Sequence, residues 1–450
     1  MIKSGLTYNS WAYFCEMGTG KSKVIADIIG TLHKAKRIMK VLIVAPKSLL
    51  LNWAKELTIN ISNIKSYKKG VDTNMFLCYN VIMEKTQRKK CDDLQKDVVN
   101  IINYEALLKV PEAILESYDM VVLDESSKIK NPQAKITKKL LKISSSIKYK
   151  YILSGTPITN NPVDIYSQLY FLDPNVLKFK NFYSFKSYYC QMGGYGNYQI
   201  VGYRHLAQLK SNISTISTQL KKEDCLDLPE KSYTTRDISM SLDMKKQYDS
   251  MKKDMILELE DEKITAQIAI VKLGRLQQIL GGGFLPDQNK NNKLKELDLI
   301  LNEMSDDKQI IIFARYINSI KLLEKWVKDK GFTASVIYGD VKDRQKQIDD
   351  FQSGKNRFFI GQITTAGFGI TLTNASYCIY YENNFSLQDR LQSEARLHRI
   401  GLTHPVTYID MVYKDTIEKD ILKVVTGKEK TANYLVESFL RRGGKNVEKM

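Results

Sequence analysis

The stretch Glu16-Met17-Gly18-Thr19-Gly20-Lys21-Ser22 constrains this chain more than any other, because it stands between an apolar run and a segment of helical pattern, Val24 to Ile29. Its glycines let the backbone curl until successive N–H groups point inward, and the helix behind adds its positive N-terminal end. The product is a cradle for polyphosphate. In such a loop Lys21 reaches the β- and γ-phosphates and Ser22 ligates Mg²⁺. The spacing is the short G-x-G-K-[ST] form; the longer pattern would have its first glycine where Cys15 stands. Read alone, the same residues also suit a plain glycine turn, so the assignment depends on what lies downstream.

With 450 residues the chain has room for two or three domains, each with its own core. Lys and Arg outnumber Asp and Glu by 68 to 50, a formal charge of +18 that suits a polyanionic partner. A basic membrane-surface protein is the competing reading. Against it, no run of about 18 apolar residues, signal-peptide pattern or basic amphipathic helix stands out. Six cysteines (Cys15, Cys78, Cys91, Cys190, Cys225, Cys378) are scattered without a C-x-x-C pair, and read as reduced thiols of a cytoplasmic protein with no zinc site.

Short continuous apolar runs of the kind that form buried parallel strands recur after the loop: Val41 to Ala45, Val98 to Ile102, Met120 to Leu123 and Tyr151 to Leu153. Each stops at a small polar cluster: Pro46-Lys47-Ser48, Asn103-Tyr104-Glu105, Asp124-Glu125-Ser126-Ser127 and Ser154-Gly155-Thr156-Pro157. Ligands of open α/β sheets bind at carboxyl strand ends, so the first 170 or so residues predict a doubly wound sheet with a nucleotide at its rim. From Leu172 to Leu228 the pattern gives way to an aromatic and basic segment, read as an insertion at about 173–225. Residues 243–279 carry helical apolar spacing and are closed by Gly281-Gly282-Gly283, a helical insertion at about 240–285. A second alternation begins near Lys293, with strands at Gln309 to Phe313, Ser335 to Tyr338, Phe358 to Gly361, Tyr377 to Tyr381 and Val406 to Met411. The expected domains are therefore 1–228 and 229–450, with a basic tail from about 425 that includes Arg441, Arg442 and Lys445.

Two further constellations carry chemistry. Asp124-Glu125, about a hundred residues beyond the loop, suit magnesium-dependent ATP hydrolysis, with Asp124 holding Mg²⁺ through water and Glu125 polarising the attacking water; a solvated acidic turn is the alternative. In Gln392-Ser393-Glu394-Ala395-Arg396-Leu397-His398-Arg399-Ile400-Gly401, read as a helix, Arg396 and Arg399 fall three apart on one face. Lying in a different domain from Lys21, they act as arginine fingers only if the domains close over ATP. A surface helix, salt-bridged through Glu394 or Asp389, is the alternative.

The ordered series Glu16 to Ser22, Val41 to Trp53, Asp124 to Asn131, Leu153 to Pro157, Ile310 to Tyr316, Thr364 to Thr373 and Gln392 to Gly401 resembles the motif series of superfamily 2 helicases. More narrowly it is similar to Swi/Snf-type DNA translocases in a compact phage or bacterial form. The aromatic insertion followed by Gly202 to Leu209 is similar to the fork-remodelling or annealing-helicase subgroup. The resemblance implies two RecA-like α/β lobes with helical insertions between them, ATP and Mg²⁺ as cofactors, and Gly18, Thr19, Gly20, Lys21, Ser22, Lys23, Gly369 and Gln392 around the nucleotide. It implies that Ser154 and Thr156 couple hydrolysis to motion, and that Pro46, Lys47, Ser48, Tyr104, Thr364, Thr365 and Gly367 touch the nucleic-acid backbone.

This sequence departs from the family in two places. The adenine-recognising glutamine often found upstream of the loop has no counterpart, the first glutamine being Gln87, and Ser127 stands where many relatives have histidine. His398 suits a coupling contact or a packed helix position. The aromatics from Phe179 to Tyr189 suit base stacking or a helical core. The lysines Lys135, Lys138, Lys139 and Lys142, and Arg88-Lys89-Lys90, suit a solvated face or backbone contacts.

The expected activity is an ATP-driven motor on duplex, forked or branched DNA, on which it remodels forks or migrates branches as a monomer, with replication or recombination proteins as candidate partners. An RNA-directed helicase, a DNA-binding ATPase switch and a restriction-system motor are the alternatives.

Overall fold

Runs such as Val41–Ala45 and Met120–Asp124, buried along their whole length, can only be interior strands of a sheet covered on both faces, and that is how they fold. The computed structural model describes residues 1–427 except 63, 67–76, 84–85, 97, 159–160, 180, 194–198, 262–265, 284, 286, 340, 342 and 367–369. The chain divides into two compact units, Met1–Leu226 and Asp227–Met450.

The first unit contains β1 (Ser10–Cys15), β2 (Val41–Ala45), β3 (Lys65–Ser66), β4 (Cys78–Val81), β5 (Val99–Asn103), β6 (Met120–Asp124), β7 (Tyr149–Leu153), a hairpin of β8 (Cys190–Gly193) and β9 (Gln199–Tyr203), and β10 (Ser217–Leu220). Apart from the antiparallel hairpin, these strands form one parallel sheet in the order β10-β1-β7-β6-β2-β5-β4-β3. The segment expected as an insertion at 173–225 is more closely built in than its composition suggests. Phe185, Tyr189, Leu209 and Ile213 join the unit's own core, and β10 completes the sheet beside β1. Its aromatic residues pack against Tyr166, so the segment buries apolar area that would otherwise face water.

The second unit holds β11 (Lys231–Ile238), β12 (Gln309–Ala314), β13 (Ala334–Ile337), β14 (Phe358–Gln362), β15 (Ala375–Tyr380) and β16 (Val406–Tyr413), all parallel in the order β11-β16-β15-β12-β14-β13. Alternate residues of β12 feed two separate cores, Ile310 and Ile312 on one face and Ile311 and Phe313 on the other. This is the period-two signature of a sheet covered on both sides. Helices Leu242–Asp261 and Ala266–Leu280 occupy the expected helical insertion, with Tyr248, Leu276 and Leu280 buried in the same core as the sheet. Among the described residues no helix is long and apolar enough to cross a membrane.

Candidate active site

Because the strands of the first sheet run parallel, their carboxyl ends share one edge, in the spatial order β1, β7, β6, β2, β5. From those ends emerge, in the same order, the phosphate loop, Ser154-Gly155-Thr156, Asp124-Glu125, Pro46-Lys47-Ser48 and Tyr104. Segments far apart in sequence are thereby set side by side.

In the phosphate loop Gly18 and Gly20 both sit at φ 86°, a left-handed conformation that side chains oppose. Helix Lys21–Lys34 starts directly after Gly20, and no side chain caps its first N–H groups. That leaves a helix N-terminus suited to an anion. The Lys21 ammonium donates to the carbonyls of Cys15 at 2.6 Å and Glu16 at 3.0 Å, folding back over the loop. Ser22 lies in the helix's first turn, whereas Lys23 pairs with Asp27 at 2.7 Å, one turn along the helix. The neighbouring turn lies against the loop: a Cβ on Gly155 would be in ordinary van der Waals contact, 3.4 Å from Met17 Cγ and 3.5 Å from the Met17 nitrogen. Within that turn Thr156 N–H donates to Ser154 Oγ at 3.1 Å.

The acidic pair is fixed from several sides. Asp124 Oδ2 accepts from Trp53 Nε1 at 2.8 Å, and its Oδ1 from the Glu125 N–H at 3.0 Å. Glu125 is buried in a left-handed conformation, φ 53° and ψ 55°, a position that costs of order 1–3 kcal/mol and clusters at functional sites. Tyr104 requires a correction as a backbone contact: its ring is buried and its hydroxyl donates to the Asp124 carbonyl at 2.8 Å. Burial, reinforced by the charges of Asp124 and Glu125, raises its pKa well above the usual phenol value, so it remains a neutral donor bracing the acidic turn. Pro46 is buried too, while Lys47 and Ser48 are exposed. Among the described residues no three His, Cys, Asp or Glu side chains form a metal cage. The Ser22 hydroxyl and Asp124 carboxylate are hard oxygen donors that suit Mg²⁺ when phosphates and water complete its shell, and not a resident metal.

Gln168 is a site residue that sequence reasoning missed. Fully buried, it accepts from Ser126 Oγ at 2.7 Å and donates to the Pro157 carbonyl at 2.6 Å and the Asp164 carbonyl at 2.9 Å. It ties the acidic turn to the Ser154–Pro157 turn. The available signal was one amide in the otherwise apolar face of Ile165 to Leu172. Gln168→Leu strands the Ser126 hydroxyl and two carbonyls, and is expected to lower stability by about 1–3 kcal/mol, measurable by urea unfolding.

In the second unit, helix Leu387–Leu397 is anchored by Arg390, whose guanidinium donates to both carboxylate oxygens of Asp410 on β16 and to Glu394 Oε1, and stacks on Tyr380 at 3.5 Å. Gln392 is buried, and its Oε1 has no hydrogen-bond partner among the described residues. Arg396 is buried near the helix end. The expectation that Arg396 and Arg399 share one helical face is corrected: the helix stops at Leu397, and Arg399 lies in the following turn, donating to Thr371 Oγ1 at 2.9 Å. His398 leaves helical geometry at ψ 83°, which ends the repeat. Glu394, a candidate salt-bridge partner for these arginines, meets Arg390 and the Tyr233 hydroxyl.

Thr365 Oγ1 donates to Gln362 Oε1 at 3.0 Å, and Gln362 Nε2 donates to the Arg315 carbonyl at 3.1 Å, so two motif segments meet at the carboxyl ends of β12 and β14. Thr364 is exposed. Gly367 and Gly369 lie outside the described residues, as does the basic tail from 428 onward.

The segment joining β10 to β11 is held at both ends by site residues. Glu16 accepts from the Lys222 N–H at 3.1 Å through its carboxylate, while its own N–H donates to the Leu220 carbonyl at 2.9 Å. At the other end His398 Nε2 donates to the Pro229 carbonyl at 2.9 Å.

Residues 13–293 match the SNF2-related domain family, and residues 289–401 match the helicase conserved C-terminal domain family. The chain is 25% identical to Protein CHROMATIN REMODELING 5 of Arabidopsis thaliana, over 95% of this chain and 26% of that protein. It is also 25% identical to an uncharacterized ATP-dependent helicase of Mycoplasma genitalium, over 92% of this chain and 39% of that protein. The chain thus spans well under half the length of these relatives. Among solved structures it is similar to the Sulfolobus solfataricus SWI2/SNF2 ATPase core in complex with dsDNA, at 22% identity, with 98% of this chain and 94% of that chain covered and a TM-score of 0.43.

Proposed function

The chain belongs to the SNF2-related domain family, and from that premise we propose that it is an ATP-driven motor on duplex DNA that remodels forks or migrates branches. The observation that carries the reading is the shared edge of the first sheet, where the phosphate loop, the Ser154–Thr156 turn and the acidic pair follow one another on adjacent strands. Lys21 and the loop N–H groups hold the β- and γ-phosphates. Glu125 would orient the attacking water, and Asp124 would hold Mg²⁺ through water when the ion binds with ATP. Mg²⁺, when bound with ATP, neutralises charge developing on the phosphates. Arg396 and Arg399 supply positive charge to the γ-phosphate when the two units close on ATP.

Ser154 and Thr156 pass the change on, and Gln168, bonded to both turns, is the side chain best placed to do so. Exposed Lys47 and Ser48 of the first unit, and exposed Thr364 with its chain neighbour Thr365 in the second, are the proposed backbone contacts. ATPase assays with duplex, forked and four-way DNA beside RNA test the reading. Stimulation by duplex or branched DNA is expected, and stimulation by RNA alone would replace the motor's track. Since phosphate contacts release counterions, log affinity for non-specific duplex should fall linearly with log salt, by about 0.9 per phosphate neutralised. A flat response would assign the +18 charge to another purpose.

A further inference from the structure

Between Asp173 and Glu223 the sequence contains no acidic residue, although Asp and Glu number 50 in the 450-residue chain. The same segment places part of its aromatic content outward. Where the helix Phe182–Tyr189 runs into the β8–β9 hairpin, Tyr188 stacks on His205 with ring centroids 4.4 Å apart and planes within 20°. The Tyr188 hydroxyl donates to Gln208 at 2.8 Å, which fixes the pair. Tyr203 follows at the end of β9, and Arg204 donates to the Cys190 carbonyl at 3.1 Å from the same corner. Tyr188 is 36% exposed and Tyr203 39%, whereas Phe185 and Tyr189 on the inner side of the helix are fully buried. Phe185 and Tyr189 fill the core beneath, while Tyr188 leans on Phe179 with ring centroids 5.3 Å apart and keeps its outer part in solvent. Lys210 is exposed on the next helix, Leu206–Ser214.

We propose that this corner of the first unit, Tyr188, Tyr203, Arg204 and His205 with Lys210, is a second nucleic-acid site that takes unpaired bases of single-stranded or forked DNA. The proposal rests on the DNA-motor reading and extends it to a substrate class. Rings that keep an exposed surface stack on any base, and the neighbouring cations Arg204 and Lys210 hold the phosphates between them, against the opposing influence of the Asp164 carboxylate on Tyr203. A duplex, whose bases are already stacked, gains only the charge contribution here, so the site favours a strand that has left its partner.

The experiment uses the full chain and its variants Tyr203→Ala, Tyr203→Phe and the double variant Tyr188→Ala/Tyr203→Ala, each checked for an unchanged thermal transition. Affinities are measured for an oligonucleotide carrying 2-aminopurine, a fork with unpaired arms and a blunt duplex. Loss of a base stack corresponds to roughly 5- to 150-fold. The alanine variants are expected to lose about tenfold or more on single strand and fork, with 2-aminopurine quenching lost, while duplex affinity stays within about twofold and Tyr203→Phe behaves as wild type. If the double variant melts early, Tyr203→Ala alone decides. Equal loss on duplex and fork would make the corner a simple charge patch and overturn the proposal. So would no loss on any DNA, which would assign the exposed rings to a protein partner. Failure of the wild type to bind any DNA would instead overturn the motor reading itself.

Discussion

Lys21→Ala and Glu125→Gln are each expected to abolish ATP turnover while leaving DNA affinity close to wild type. The first removes the ammonium that donates to the Cys15 and Glu16 carbonyls, and so removes the cation the β- and γ-phosphates would recruit from the loop. The second keeps the shape of a buried side chain but replaces a carboxylate by an amide, which cannot orient and polarise the water in the same way. The left-handed backbone at Glu125 is unaffected by that exchange, so the fold should survive. Fluorescent-nucleotide binding separates the two variants: Lys21→Ala should lose ATP affinity, and Glu125→Gln should retain it. A folded variant of either kind that still turns over ATP at the wild-type rate removes these residues from the reaction.

Arg399→Ala is expected to reduce kcat by roughly 10³-fold, the low end for an arginine finger and about 4 kcal/mol of transition-state stabilisation. Its guanidinium donates to the Thr371 hydroxyl, a neutral contact that it can leave for a phosphate. Arg396, buried at the helix end, should behave similarly but with a larger loss of stability. ATP affinity should change little, because the phosphate loop makes the ground-state contacts, and stimulation by DNA should disappear. Steady-state ATPase with and without duplex and forked DNA measures both quantities. An Arg399→Ala protein stimulated to the wild-type level would return this segment to an ordinary surface turn.

The interior strands were legible because a strand buried on both faces has to be apolar throughout, as Val41–Ala45 and Tyr149–Leu153 nearly are. The strands missed lie at or near sheet edges. Cys78–Val81 contains Asn80, Ser217–Leu220 mixes polar with apolar residues, and Lys231–Ile238 is exposed along most of its length, so none advertises a core. The candidate site divides in the same way. The phosphate loop and the acidic pair are local patterns and could be read residue by residue. Trp53 reaches Asp124 across 71 positions, and Gln168 reaches Ser126 across 42, so their roles exist only once the sheet has ordered its strands. The arginine spacing misled because it assumed the helix continued past Leu397.

Among the described residues strand β11 has a single neighbour, β16, whose first residue, Val406, is made nearly 170 positions after Ile238. On a ribosome working at about 5–20 residues per second, that edge waits some 10–30 s for its partner. A nascent segment in that position is a template for pairing with the wrong chain. Its composition answers the hazard: Lys231, Arg236 and Asp237 interrupt it, and few of its side chains are destined for the interior. The same polarity that hid the strand from a pattern search thus keeps the half-made protein from aggregating, and the second sheet has to close by recruiting its earliest strand last.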